Sequence, residues 1–172
     1  MEKVAATLYG LDLLFLLSFQ ILNRDKPVFS MPISEYGLGR TARLFRIYLI
    51  AGCLAPPILA WQVHVSGDPD FPVSVTVYLG LVALGRLGIA VWKNDPHGAA
   101  HTGRGNLHRA ATLLAFTCAY MAVVEATPQL VALHAGARSV ADELFKHLIS
   151  LGFLAVVLTT SPALRQWFGL AE

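Results

Sequence analysis

Apolar residues in this chain come in long runs, separated by short polar segments. The first run, residues 4–22, is interrupted only by Asp12 and Gln20. At ~1.5 Å per residue, a helix of that length covers most of a ~30 Å hydrocarbon layer. No small-x-small cleavage site precedes Asn23, so this run reads as a retained anchor rather than a removed signal. A polar connection, residues 23–41, carries Pro27, Pro32 and the sequence SEYGLGR. The second run is residues 42–65, with a kink expected at Pro56-Pro57, because paired prolines remove backbone donors and clash with the preceding turn. After the loop SGDPDF comes a third run, residues 72–92. Its first half is β-branched and would read as a strand in water. In lipid every backbone polar group must be paired within the segment, so a helix is expected.

A fourth run covers residues 107–126, where Ala111, Ala115 and Ala119 form a stripe along which another helix can approach closely. Beyond Thr127-Pro128, residues 129–134 are too few to cross, and residues 136–142 are polar. This region reads as a surface excursion or short interfacial helix, ahead of a fifth run at 144–160. The pattern predicts an all-α, integral-membrane bundle of about five transmembrane helices, with a short interfacial helix between the last two. Residues 1–172 form a single membrane domain in this reading.

Composition agrees. Hydrophobic residues make up 55% and charged residues 14% of the chain, against roughly 25% charged in an average soluble domain. Mean hydropathy is +0.57. A net charge of +2, with no basic run interleaved with aromatics, argues against nucleic acid as a partner. Cys53 and Cys118 lie in apolar runs without metal spacing and read as packing residues.

Charge also bears on orientation. With five spans, one face collects Arg24, Lys26, Arg40, Arg43, Arg46, Lys93, Arg104, Arg109 and Arg165; the other has Lys3, Arg138 and Lys146. The positive-inside rule then predicts the N-terminus out and the C-terminus in, across a bacterial cytoplasmic membrane.

Two ionisable residues fall inside spans, where each costs ~3 kcal/mol even on the mild insertion scale. Asp12 lies roughly 15 Å from the inner end of its helix and Arg86 roughly 10 Å. That difference is within an arginine's reach, so an intramembrane pair between Asp12 and Arg86 is expected. Snorkelling of Arg86 is the structural alternative.

The segment NDPHGAAHTGRGNLHR, residues 94–109, shares the inner face with SEYGLGR. It brings Asp95, His97, His101 and His108 to the same side as Glu35. Three readings follow. Imidazoles and carboxylates could hold zinc, with Asp95, His101 and His108 as ligands or as general acid and base, and His97 as a further ligand. Alternatively Arg40, Arg43, Arg104, Arg109 and the histidines form a pocket for an anionic headgroup, with the glycine-rich turn aiming backbone N–H groups at it. In the third reading the charges set topology, and Asp95 and His108 cap helices. On the outer face lie His64, Glu125, His134, Glu143 and His147. Among these, only His64 and His147 make a plausible axial haem pair, and both sit near span ends.

SEYGLGRTARLFR, followed after two spans by NDPHGAA and GNLHRAATLLAF, resembles an uncharacterised family of small bacterial polytopic membrane proteins, a domain of unknown function. Members pair an SEY-A/G-LG motif with a later FPTDP-x-G…H-x-x-A-A motif. The resemblance covers residues 33–122 and implies significance for Ser34, Glu35, Tyr36, Gly39, Asp95, Pro96 and His108. This chain departs from the family at Trp92-Lys93-Asn94 and shows one span fewer. The resemblance implies no activity.

The leading expectation is a non-enzymatic binding or accessory membrane protein. It would recognise an anionic lipid headgroup or a partner subunit, or a second copy of itself, through Glu35, Tyr36, Arg40, Arg43, Asp95, Arg104 and His108. The alternatives are a metal-assisted hydrolase or transferase acting on a lipid, and a haem-binding electron carrier.

Overall fold

The computed structural model describes residues 2–23, 33–65, 71–96 and 99–133, with the helical positions His147, Ser150, Leu151 and Leu154. Among the described residues every regular element is helical. In order they are α1 (Glu2–Leu22), a 3-10 helix (Ile33–Gly37), α2 (Ala42–Gly52), α3 (Ala55–Val65), α4 (Val73–Val91) and α5 (Gly103–Leu133). Three stretches are long and apolar enough to cross a membrane: Ala42–Val65, Val73–Val91 and Gly103–Pro128. The apolar part of α1, Thr7–Leu22, is shorter. Of the expected fifth run, 144–160, only His147, Ser150, Leu151 and Leu154 are described, so that span lies outside the described residues.

The β-branched start of α4 is helical, as the need to pair backbone groups in lipid requires. The run 42–65 is two helices rather than one bent one. Cys53 N–H donates to the carbonyls of Leu49 and Ile50, and Leu54 N–H to that of Ala51, so the chain turns tightly between α2 and α3. The break comes ahead of Pro56-Pro57 because a proline interferes with the carbonyl four residues earlier, here Gly52 and Cys53.

Two expectations are corrected in α5. The helix does not stop at Thr127 but continues through Pro128 to Leu133; residues 134–143, the rest of the expected excursion or interfacial helix, lie outside the described residues. Pro128 leaves the Val124 carbonyl without its ladder donor, while Thr127 Oγ1 donates to the Val123 carbonyl at 2.6 Å and holds the adjoining turn. Second, the buried stripe is Ala111, Ala115, Cys118, Ala122 and Ala126, and Ala119 falls outside it. A spacing of four overshoots the 3.6-residue turn, so strict repetition drifts off the contact face.

α4 occupies the middle of the bundle. It packs along α5 and against α2 and α3, and α1 leans on α2 and α3. One core cluster joins Phe19, Tyr36, Phe45, Leu49 and Ala90; the other joins Ala60, Val75, Leu79, Ala122 and Ala126. In the first, Phe19 is fully buried and its ring stacks on Tyr36 at 5.6 Å. Large apolar side chains, including Leu13, Leu14, Trp61 and Leu84, are exposed, while Asp12, Asn23, Glu35, Thr41 and His108 are buried. A soluble domain does not hide its polar residues and display its leucines in this way. With three helical stretches of membrane length, the arrangement is that of a membrane protein.

Candidate functional site

SEYGLGR is folded by its own polar groups. Leu38 N–H donates to the Glu35 carbonyl and Ala42 N–H to that of Gly39, which turns the chain from the 3-10 helix into α2. Gly39 has φ +86°, the left-handed region that glycine enters without a Cβ penalty. Thr41 Oγ1 donates to the Tyr36 carbonyl at 3.0 Å, and Asn23 Nδ2, which donates to the Phe19 carbonyl at 2.9 Å, also reaches Thr41 Oγ1 at 3.4 Å and ties the turn to the end of α1. Glu35 and Tyr36 are buried by this folding, whereas Arg40 and Arg43 are exposed. A Cβ at Gly37 would meet the Phe45 ring at 2.9 Å, so the turn sits directly on the aromatic core.

The second segment begins where α4 ends. Trp92 is extended, and its carbonyl lies 2.7 Å from Nδ1 of His108, which is only 4% exposed. Asn94 Nδ2 donates to Ser34 Oγ at 2.9 Å across sixty positions of sequence. This bond joins the first polar connection to the third at one rim of the bundle.

Asp95 closes the start of α5. Its carboxylate accepts the Thr102 N–H at 2.9 Å and the Thr102 hydroxyl at 2.7 Å, and Thr102 Oγ1 accepts the Gly105 N–H at 3.1 Å. A Cβ at Gly105 would run into that carboxylate, which therefore requires glycine there. The arrangement is a helix N-cap with a charge at the positive end of the helix dipole. It also corrects one expectation. Gly103 and Gly105 belong to the first turn of α5, and the glycine-rich turn expected to aim its N–H groups at an external anion holds this protein's own carboxylate.

The hydrogen bonds from Thr102 hold the Asp95 carboxyl below the usual carboxylate range, with Arg109 and His101 adding to the effect and burial opposing it. A depressed carboxyl stabilises the folded start of α5 above its unfolded value, about pH 4, and that contribution is lost as pH falls through the lower folded value. An NMR titration of the Thr102 amide proton should therefore show a midpoint below the ordinary carboxylate value, and Asp95→Asn should abolish the titration. A midpoint at or above the ordinary value would contradict the capping role.

The other candidates separate. Arg109 binds the Asn106 side chain and lies 3.2 Å from His101 Nε2, which accepts because a guanidinium only donates. Arg104 is exposed, and His97 lies outside the described residues. Asp95, His101 and His108 thus engage three different partners, and no group of three or more His, Cys, Asp or Glu gathers at ligating range among the described residues. On the opposite side Glu125 is hydrogen-bonded to Ser74, and His64 and His147 are exposed. His134 and Glu143 lie outside the described residues.

A shallow cleft opens between the 3-10 helix, α2 and the end of α4. Its polar lining is Ser34, Arg46, Lys93, Asn94 and His108, and its apolar wall includes Phe45, Leu49, Ile89 and Trp92. Among the described residues no carboxylate lines it. Sequence reasoning chose Arg40, Arg43 and Arg104, whereas the arginine at the cleft is Arg46, one turn beyond Arg43 and next to buried Phe45. Ser34 had a signal, as the first residue of the SEY motif. Lys93 and Asn94 had one too, as positions where the chain departs from the pattern it resembles.

A second polar centre lies inside the bundle. Arg86 Nη1 of α4 is 2.7 Å from Asp12 Oδ2 of α1, with side chains 15% and 13% exposed. The guanidinium passes beside Gly52, where a Cβ would strike both it and the Asp12 carboxylate. Its carbon lies 5.3 Å from the Tyr48 ring centroid, within cation–π range. Gly52 was missed from sequence; its only signal was its place immediately before the proline-induced break.

Comparison with curated proteins and with solved structures gives no match. The family described as Protein of unknown function (DUF998) is matched over residues 10–172, nearly the whole chain, and this protein belongs to it.

Proposed function

We propose that this rim binds an anionic lipid headgroup and that the protein acts as a non-enzymatic binding or accessory component of a bacterial cytoplasmic membrane. In this reading the chain crosses five times, with its N-terminus outside and its C-terminus inside, so the cleft faces the inner leaflet, which the positive-inside bias favours. The observation that carries the proposal is the cleft itself. Arg46 and Lys93 line a single opening with no carboxylate among its described lining residues, and the Asn94–Ser34 bond holds the two sides together. Basic residues near a membrane surface attract anionic lipid by about 1 kcal/mol each. Apolar side chains on the same wall suit the acyl chains below a headgroup.

Native mass spectrometry of the full chain with phosphatidylglycerol and phosphatidylcholine tests this. The wild-type protein should retain the anionic lipid selectively. Changing Arg46 and Lys93 together to glutamine should weaken that retention by about thirtyfold, from two such contributions. Equal retention of both lipids, or an unaffected double variant, would overturn the proposal.

A further inference from the structure

The cleft offers acceptors as well as cations. A carbonyl oxygen has no hydrogen to give, so the 2.7 Å contact between His108 Nδ1 and the Trp92 carbonyl requires the ring hydrogen to be on Nδ1. In the neutral ring Nε2 is then a lone pair. Asn94 spends a hydrogen of its amide on Ser34, which leaves Oδ1 as the acceptor end of that side chain. Ser34, having accepted, keeps its own hydroxyl hydrogen to donate. The residues that line the cleft therefore carry two cations, one hydroxyl donor and two lone-pair acceptors.

An ionised phosphodiester satisfies the cations and the donor but has no hydrogen for the acceptors. An ethanolamine headgroup supplies hydrogens, but on an ammonium that Arg46 and Lys93 repel and that no lining carboxylate attracts. A hydroxyl supplies them without charge. The geometry points to a phosphodiester headgroup that carries hydroxyl groups, of the glycerol kind, with phosphate at Arg46 and Lys93 and a hydroxyl donating to His108 Nε2. The inference rests on the headgroup reading above and specifies its ligand.

Phosphatidylmethanol provides the control, because it has the charge of phosphatidylglycerol and lacks the hydroxyls. With identical acyl chains, native mass spectrometry of the full chain should show phosphatidylglycerol held about tenfold more tightly, the scale of one well-made hydrogen bond. His108→Asn places an amide donor near the Nδ1 position and removes Nε2. It should bring the two lipids close to parity and leave phosphatidylmethanol retention unchanged, whereas a purely structural histidine would weaken both alike. Equal binding of the two lipids to the wild-type chain overturns the hydroxyl inference and leaves the headgroup reading standing; this comparison needs no variant to fold. Retention of neither overturns both. Soluble glycerophosphoglycerol is the third arm. Displacement of the lipid only by a large excess supports a membrane ligand, and tight binding of the free headgroup overturns the lipid as its source.

Discussion

Asp12→Ala is expected to destabilise the protein by about 3–5 kcal/mol, the range for removing one partner of a buried ion pair. An exposed pair would contribute about 0–1 kcal/mol, so burial decides the magnitude. Both side chains are largely buried, and Arg86 Nη2 already has no hydrogen-bond partner among the described residues. Without Asp12 the guanidinium would keep its charge and lose its compensating carboxylate. Arg86→Met in the Asp12→Ala background removes the stranded charge as well, and the double variant should recover most of the loss. Denaturant titration in detergent micelles measures this cycle. Simple additivity of the two single changes would rule out coupling between the residues.

Gly85→Leu should cost about 3 kcal/mol, at the upper end of overpacking penalties. A Cβ at Gly85 would lie 2.8 Å from both the Cβ and the backbone nitrogen of Ala115, and 2.9 Å from the Ala111 carbonyl oxygen. Backbone cannot rotate away as a side chain can, so α4 and α5 would have to separate. The control is Gly80 on the same helix, where a Cβ meets nothing within 4 Å. Gly80→Ala should be neutral or slightly stabilising, since alanine loses less backbone entropy in a helix. If Gly85→Leu were no worse than Gly80→Leu in the same titration, the close approach of the two helices would not exist.

These two sites differ in how far they could be read from sequence. An aspartate and an arginine inside apolar runs stand out because lipid penalises them, and helical rise places them at comparable depth. The glycine that lets them meet does not stand out, because many glycines in such a chain have no packing role. Alanine spacing in α5 likewise marked a face for close packing. Its partner on α4 was not legible, because Gly85 and Gly88 matter only through what lies opposite.

The rim shows the same division. Asp95, Thr102 and Gly105 form a local cap, and their short separation made a capping role for Asp95 legible. Arg40, Arg43 and Arg46 all follow the SEY motif, and nothing in their order says which one reaches the cleft. Burial of Phe45 against Phe19 and Tyr36 settles the rotation of α2, and with it the placement of Arg46.

By itself the sequence determined that the chain forms membrane-length helices and where their polar boundaries fall. Run length and the need to pair backbone groups without water act locally. Only the tertiary structure decided which polar groups of the rim reach the cleft. Ser34 and Asn94 are sixty positions apart, and the packing of α2 against α4 brings their neighbourhoods together. Contacts of that kind depend on shape at helix interfaces, which no local pattern of hydrophobic and polar residues specifies.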